Sequence, residues 1–233
     1  MTKEMLFSLL KENEINCSEK QLDLLMTFTE STLSTNEKFN LTAITDRDVF
    51  LEKMIFDSAM ALKELDIADK SIIDIGTGAG YPGMVIRILE PKADVYLLDS
   101  TKKKIDYLKE FAKDHSLKIN GIDSRSEDYA KNNREKFDYA IARAVAPLNI
   151  LLEIIIPLLK IGGTFIAMKG LGYENEINES KKAFDKLNIR IDHIFEFELP
   201  ESKEKRAIIY LKKEKPTNKK YPREYKEIKK QPL

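Results

Sequence analysis

Ser71-Ile72-Ile73-Asp74-Ile75-Gly76-Thr77-Gly78-Ala79-Gly80-Tyr81-Pro82-Gly83 decides how the rest of the chain is read. A β-branched run gives way to closely spaced glycines and then to an apolar stretch, the order of strand, tight turn and helix. Tyr96-Leu97-Leu98-Asp99 follows, with its acid nineteen residues after Gly80. That is how a doubly wound sheet binds the adenosine half of a cofactor: the glycines admit the ligand, and the acid at the end of the second strand takes the ribose hydroxyls.

Two cofactors fit these glycines. Gly78, Gly80 and Gly83 match G-x-G-x-x-G, the dinucleotide fingerprint, which would make the chain a nicotinamide-linked oxidoreductase. Asp74, Gly76, Gly78 and Gly80 match D-x-G-x-G-x-G, the pattern of S-adenosylmethionine enzymes. Charge favours the second. A pyrophosphate wants bare N–H groups, and Asp74 sets a carboxylate beside it while Pro82 removes a donor. A sulfonium and an ammonium are instead attracted by that carboxylate.

Outward from the loop, the sequence alternates between strand and helix patterns. Strands are expected at 71–76, 94–99, 118–123, 137–142, 163–169, 190–198 and 206–212, with helices at 82–89, 102–115 and 147–159. This implies an α/β fold with a mostly parallel seven-stranded sheet. Only Pro200–Lys205 separates the last two strands, so an antiparallel hairpin closes the sheet, the plan of Rossmann-like methyltransferases. Upstream, residues 4–14 have helical spacing, Ser18-Glu19-Lys20-Gln21 is a capping box, and a third helical pattern runs from 46 to 65. The expected organisation is a helical extension over 1–69, a methyltransferase domain over 70–212 and a basic tail over 213–233.

Composition bounds the remaining classes. The 233 residues, 42% hydrophobic and 33% charged, suit one soluble domain with a sizeable core. The greasiest run, Leu148 to Leu159, is interrupted by Glu153 and Pro157 and is too short to span a bilayer. A single cysteine, Cys17, excludes an internal disulfide, and a cytoplasmic, monomeric protein is expected. The net charge of zero hides a division: residues 212–233 carry nine Lys or Arg against three Glu, leaving the rest of the chain at −6. A basic terminus with interleaved Tyr221 and Tyr225 suits RNA, or serves only as a solvated tail.

Ligands of such sheets lie beyond the carboxyl ends of the strands. Those ends carry Asp74 and the glycines, then Asp99 and Ser100, then Ser124-Arg125-Ser126-Glu127-Asp128. Ala142-Arg143-Ala144-Val145-Ala146-Pro147 and Lys169-Gly170 follow. The fourth of these ends lacks the Asn/Asp-Pro-Pro-aromatic motif of amine methylation, and no cysteine stands ready for methylation at carbon 5. A target with its own lone pair, such as a ring nitrogen, remains, and its methylation is chiefly alignment. Arg143 and Lys169 would position phosphates, a base edge or the donor's carboxylate. His115 and His193 stand apart, and the ligand spacing of a zinc site is missing.

These segments resemble the bacterial 16S ribosomal RNA guanine-N7 methyltransferases, the glucose-inhibited division protein B family. The likeness spans nearly the whole chain. It includes Asn40-Leu41-Thr42-Ala43-Ile44-Thr45-Asp46, Asp57-Ser58, Asp74 to Gly83, Leu97-Leu98-Asp99-Ser100, Arg125-Ser126-Glu127, Ala142 to Pro147 and Lys169-Gly170. Lys219-Lys220-Tyr221-Pro222-Arg223 and Lys229-Lys230-Gln231-Pro232-Leu233 complete it. The resemblance implies methyl transfer from S-adenosylmethionine to N7 of guanine 527 in 16S rRNA of the small subunit. Donor contacts are expected at Asp74, Gly76, Gly78, Gly80, Tyr81, Asp99, Ser100, Ser126, Glu127 and Arg143. RNA contacts are expected at Asn40, Lys169, Lys219, Lys220 and Arg223. Met54 stands where the family usually has His, Tyr81 where Phe or Leu is common, and Pro216-Thr217 reverses the usual order.

Overall fold

A computed structural model describes residues 1–233. Seven strands, β1 (Ser71–Ile75), β2 (Asp94–Asp99), β3 (Asn120–Asp123), β4 (Phe137–Arg143), β5 (Leu159–Lys169), β6 (Ile189–Glu198) and β7 (Lys205–Lys213), form one sheet. Their order is β3-β2-β1-β4-β5-β7-β6. Strands β1 to β5 pair in parallel, and β7 runs antiparallel between β5 and β6. The order reverses between β1 and β4, which opens a crevice beyond their carboxyl ends.

Each face of the sheet has its own core. On one face, helices Gly83–Leu89 and Lys102–Asp114 pack with the amino-terminal helices Lys3–Glu12 and Glu19–Asn36 in a cluster reaching from Met1 to Tyr210. On the other, Leu148–Ile155 and Lys181–Leu187 pack with the tail residues Tyr221, Ile228 and Leu233. Leader and tail are therefore built into the body, one on each face.

The leader is fixed by polar contacts as well as apolar ones. The expected capping box forms at Ser18 and Gln21, and Gln21 Nε2 also donates to Ile88 O and Leu89 O at 2.8 and 2.9 Å. One leader side chain thus caps the helix that follows the glycine loop. Phe28 stacks on Tyr81, with centroids 5.0 Å apart, and Thr32 Oγ1 lies 3.0 Å from the Tyr81 hydroxyl. The pattern expected over 46–65 is helical over 47–62, with a π-helical turn at Leu51–Phe56.

Other differences have local causes. Strand β5 begins at Leu159 rather than 163, because Gly162 (φ 80°) and a register shift opposite Phe137/Tyr139 let it continue through a bulge. Helices Ser126–Asn132, Tyr173–Glu179, Lys181–Leu187 and Tyr225–Lys230 add to those expected. In the tail, Lys213 is buried, donating to Ile156 O and Leu159 O at 3.2 and 2.8 Å and pairing with Glu135. Arg134 donates to the carbonyl of Thr217 at 2.6 Å. No helix is long and apolar enough to cross a membrane.

Candidate active site at the carboxyl ends of the strands

The glycine loop is tied to β2 by its backbone: Gly76 N and Thr77 N both donate to Leu98 O, at 2.8 and 2.9 Å. Gly76, Gly78 and Gly80 have φ of 69°, 59° and 99°, a region that side chains other than glycine's rarely adopt. Their surroundings differ. A Cβ on Gly76 would meet Val145 Cγ2 at 2.7 Å, and one on Gly80 would meet Leu108 at the same distance. At Gly78 nothing but the Gly76 carbonyl comes within 4 Å. Gly76 and Gly80 let the protein pack on the loop, while Gly78 leaves bare backbone facing open space.

Asp74 lies beneath this turn. Its Oδ2 accepts from Thr77 Oγ1 at 2.7 Å and from Gly83 N at 2.8 Å, which holds the turn and the start of the next helix together. Its Oδ1 is buried with no partner. Burial pushes the carboxyl up to about 6, against the two hydrogen bonds that pull it down. A buried acceptor with unused lone pairs beneath an open glycine suits a donor group on a ligand. Asp99 accepts from Gly78 N at 3.0 Å and from Thr101 N at 2.8 Å. Each of its oxygens keeps a lone pair for hydroxyls.

Two adjoining cavities open here. The smaller, about 240 Å³, is lined by Asp99, Ser100, Ser126 and Glu127 and by Leu151, Ile154 and Tyr225. The larger, about 730 Å³, is lined by Gly78, Tyr81, Arg143, Lys169 and the leader segment Leu41–Ile44. Gly76, Ala144, Val145 and Ala146 line both. Ala144 holds a positive φ of 55°, and the following Val145 lies against Gly76 at the junction. Strain of this kind at a strand end costs on the order of 1–3 kcal/mol and is found where a site needs one geometry.

The larger cavity is polar on one wall. Arg143 Nη1 donates to Lys53 O at 2.7 Å and Nη2 lies 3.1 Å from Met54 Sδ, so the strand-four arginine is anchored in the π-helical turn of the leader. Asp57, 4% exposed, lies 3.5 Å from Arg143 and 3.1 Å from Arg206. Burial raises its carboxyl although both guanidinium groups oppose the shift. Lys169 Nζ contacts Glu176 at 2.7 Å and the Ala146 carbonyl at 3.1 Å, and the same Glu176 oxygen accepts from Leu148 N. Arg143 and Lys169 each have a carboxylate nearby.

Most residues expected at the site converge on these cavities, with exceptions. Asp74 and Gly80 lie under the loop and line neither. The Tyr81 hydroxyl turns away to Thr32. Asn40 is exposed beside Leu41, in a segment held by Asn36 Oδ1 accepting from Leu41 N and Thr42 N. Lys219 and Lys220 are exposed. Arg223 is different from the free cation expected there: its Nε and Nη2 donate to fully buried Glu153 at 2.8 and 2.6 Å. Asp57, Val145, Glu176, Arg206 and Tyr225 belong to the cavities without having been singled out as site residues. Asp57 and Val145 lie inside quoted motifs and Tyr225 reads only as an aromatic of the basic tail, whereas Glu176 and Arg206 carry no local signal of a site.

Solved structures share this architecture. The crystal structure of M. jannaschii TYW2 in complex with AdoMet superposes with a TM-score of 0.55 at 16% identity, covering 67% of this chain and 74% of that one. TrmN from Thermus thermophilus gives 0.52 at 18%, covering 67% and 48%. In sequence, the chain is 38% identical to ribosomal RNA small subunit methyltransferase G of Bacillus cytotoxicus, covering 96% of this chain and 95% of that protein. The protein of that name from Acetivibrio thermocellus is 40% identical, with coverage of 94% and 91%. Residues 21–209 match the GidB family, rRNA small subunit methyltransferase G. Matches of this extent, on a sheet with a methyltransferase's strand order, show that the chain belongs to the GidB family of rRNA small subunit methyltransferases.

Proposed function

We propose that the protein transfers a methyl group from S-adenosylmethionine to N7 of a guanine in 16S rRNA, the position that the family resemblance gives as 527. The observation that carries this reading is the pair of cavities meeting at Val145. One is lined by the acids expected for an adenosine, and the other by Arg143, Lys169 and the leader, with Gly76 shared between them. The residues fit the donor: Gly78 leaves room for it, and Asp74, buried beneath the loop with Oδ1 unpartnered, sets negative charge under its sulfonium and ammonium.

S-adenosylmethionine supplies an electrophilic methyl on a sulfonium. Guanine N7 is an acceptor with a free lone pair, so no proton has to leave the attacking atom and no general base is assigned. What remains for the chain is alignment and exclusion of water. Asp99 and Glu127 hold the adenosine half, and Val145 at the junction keeps the two ligands in register. Arg143, fixed by Lys53 O and Asp57, and Lys169, fixed by Glu176, present N–H donors to the base edge or its phosphates. Their carboxylate partners also reduce the repulsion that bare cations would exert on a sulfonium. Asn40, Lys219 and Lys220, all exposed, supply backbone contacts to the RNA.

Incubation with labelled donor and small subunits lacking the modification, followed by digestion to nucleosides, tests this reading. New 7-methylguanosine is expected. Label in another nucleoside, or none, would reject it.

A further inference from the structure

We propose that the carboxyl-terminal tail is part of the donor site, with Tyr225 forming a wall of the adenosine subsite that Glu127 also lines. This rests on the reading of the smaller cavity as the place of the adenosine. Tyr225 is one of the residues lining that cavity, together with Ser126, Glu127, Leu151 and Ile154. It is half-buried and packed against the core that contains Leu151 and Ile154. A tail counted only by its charge reads as an arm for RNA; the folded tail brings an aromatic ring to a pocket lined by isoleucine, leucine and two carboxylates.

The ring is held there by both walls of the subsite. From the wall formed by helix Leu148–Ile155, buried Glu153 receives three hydrogen bonds from Arg223: from the backbone N at 3.0 Å, Nε at 2.8 Å and Nη2 at 2.6 Å. From the wall formed by helix Ser126–Asn132, Lys131 pairs with Glu224, the residue next to Tyr225. Arg223 Nη2 also donates to Gln231 O at 3.0 Å, which closes the tail helix Tyr225–Lys230 back on its own anchor. Further out, Arg134 holds the carbonyls of Thr217 and Asn218, and Tyr221, Ile228 and Leu233 are buried. A tail needed only for solubility or for loose phosphate contact requires none of these attachments.

An aromatic face beside a purine contributes stacking, which is tolerant of substituents on the base and sensitive to loss of the ring. Tyr225 therefore acts as a binding residue toward the adenine, and Arg223 with Glu153 as positioning residues that set it. Lys219, Lys220, Lys226, Lys229 and Lys230 of the tail are exposed, so one segment can serve donor and RNA together.

The test is calorimetric titration of S-adenosylhomocysteine into the full chain and into Tyr225→Ala, Tyr225→Phe and Lys226→Ala. Thermal unfolding of each ligand-free protein is measured alongside. Tyr225→Ala is expected to weaken binding about tenfold, with Tyr225→Phe restoring most of the affinity and Lys226→Ala matching the parent. Unchanged affinity in Tyr225→Ala overturns the proposal. So does a loss that Tyr225→Phe fails to restore while its unfolding temperature stays at the parent's. If Tyr225→Ala unfolds early, Tyr225→Leu, which keeps apolar bulk but loses the ring, decides with a second titration by adenosine: equal weakening for both ligands supports an adenine contact, and weakening for neither overturns it. Failure of the parent chain to bind S-adenosylhomocysteine would instead count against the donor assignment itself.

Discussion

Two aspartates, one at each end of the parallel strands, are treated in opposite ways. Asp138, near the amino end of β4, accepts from Ser71 N at 3.0 Å, Ser71 Oγ at 2.7 Å and Lys160 Nζ at 2.7 Å. Although burial opposes it, these partners hold its carboxyl down to about 2. Asp74, at the carboxyl end of β1, is more deeply buried, has one oxygen without a partner and is pushed up to about 6. The amino end of the sheet spends its polar groups on the fold. The carboxyl end keeps an acceptor, a bare glycine and a strained residue, Ala144, in reserve. Such unspent capacity is what separates a site from a structural network.

The contrast can be broken by pH. Asp74 binds its proton more tightly folded than unfolded, so its contribution to stability is lost as pH rises from about 4 through 6, by up to about 3 kcal/mol. Asp138 has the opposite sign: its stabilisation is present above its unfolded value near 4 and disappears as pH falls toward 2. Denaturation of Asp74→Asn and the parent across pH 4–7 should therefore show the parent losing ground to the variant as pH rises. A flat difference would mean that Asp74 is not protonated more readily in the fold.

Arg143→Ala removes the guanidinium that links β4 to the leader at Lys53 and Met54 and leaves Asp57 with Arg206 alone. Methyl transfer to small subunits should fall by about a hundredfold or more, the scale of a misplaced reacting group, with affinity for S-adenosylhomocysteine less affected. Transfer at the parent's rate would remove Arg143 from the site. Asp138→Asn should cost about 1–2 kcal/mol of stability through loss of charged hydrogen bonds, with donor affinity unchanged. A loss of affinity without a loss of stability would erase the distinction between the two ends.

Much of the carboxyl end was legible because its signals are local. Asp74, the glycines and Asp99 lie within a single βαβ unit, and the Arg143 and Lys169 motifs mark strand ends that the sheet must bring together. The capping box and the closing hairpin were readable for the same reason. What sequence spacing could not supply is the partner of a distant charge. Glu153 reads as an interruption in a greasy run, and Arg223 as a tail cation; only the fold brings them within 2.6 Å. Lys213 counts toward the tail's charge yet lies buried among carbonyls. Tyr225 is 98 residues from Glu127, so no local pattern could place it in the same cavity.

The central claim is that the reserve at Asp74 exists for the donor. Titrating S-adenosylhomocysteine into the parent, Asp74→Asn and Asp138→Asn at pH 7 tests it most directly. The account predicts one-to-one binding by the parent, weakening of about tenfold or more in Asp74→Asn, and affinity close to the parent's in Asp138→Asn. Parent-like affinity in Asp74→Asn, or tight binding of NAD in place of S-adenosylhomocysteine, would contradict it.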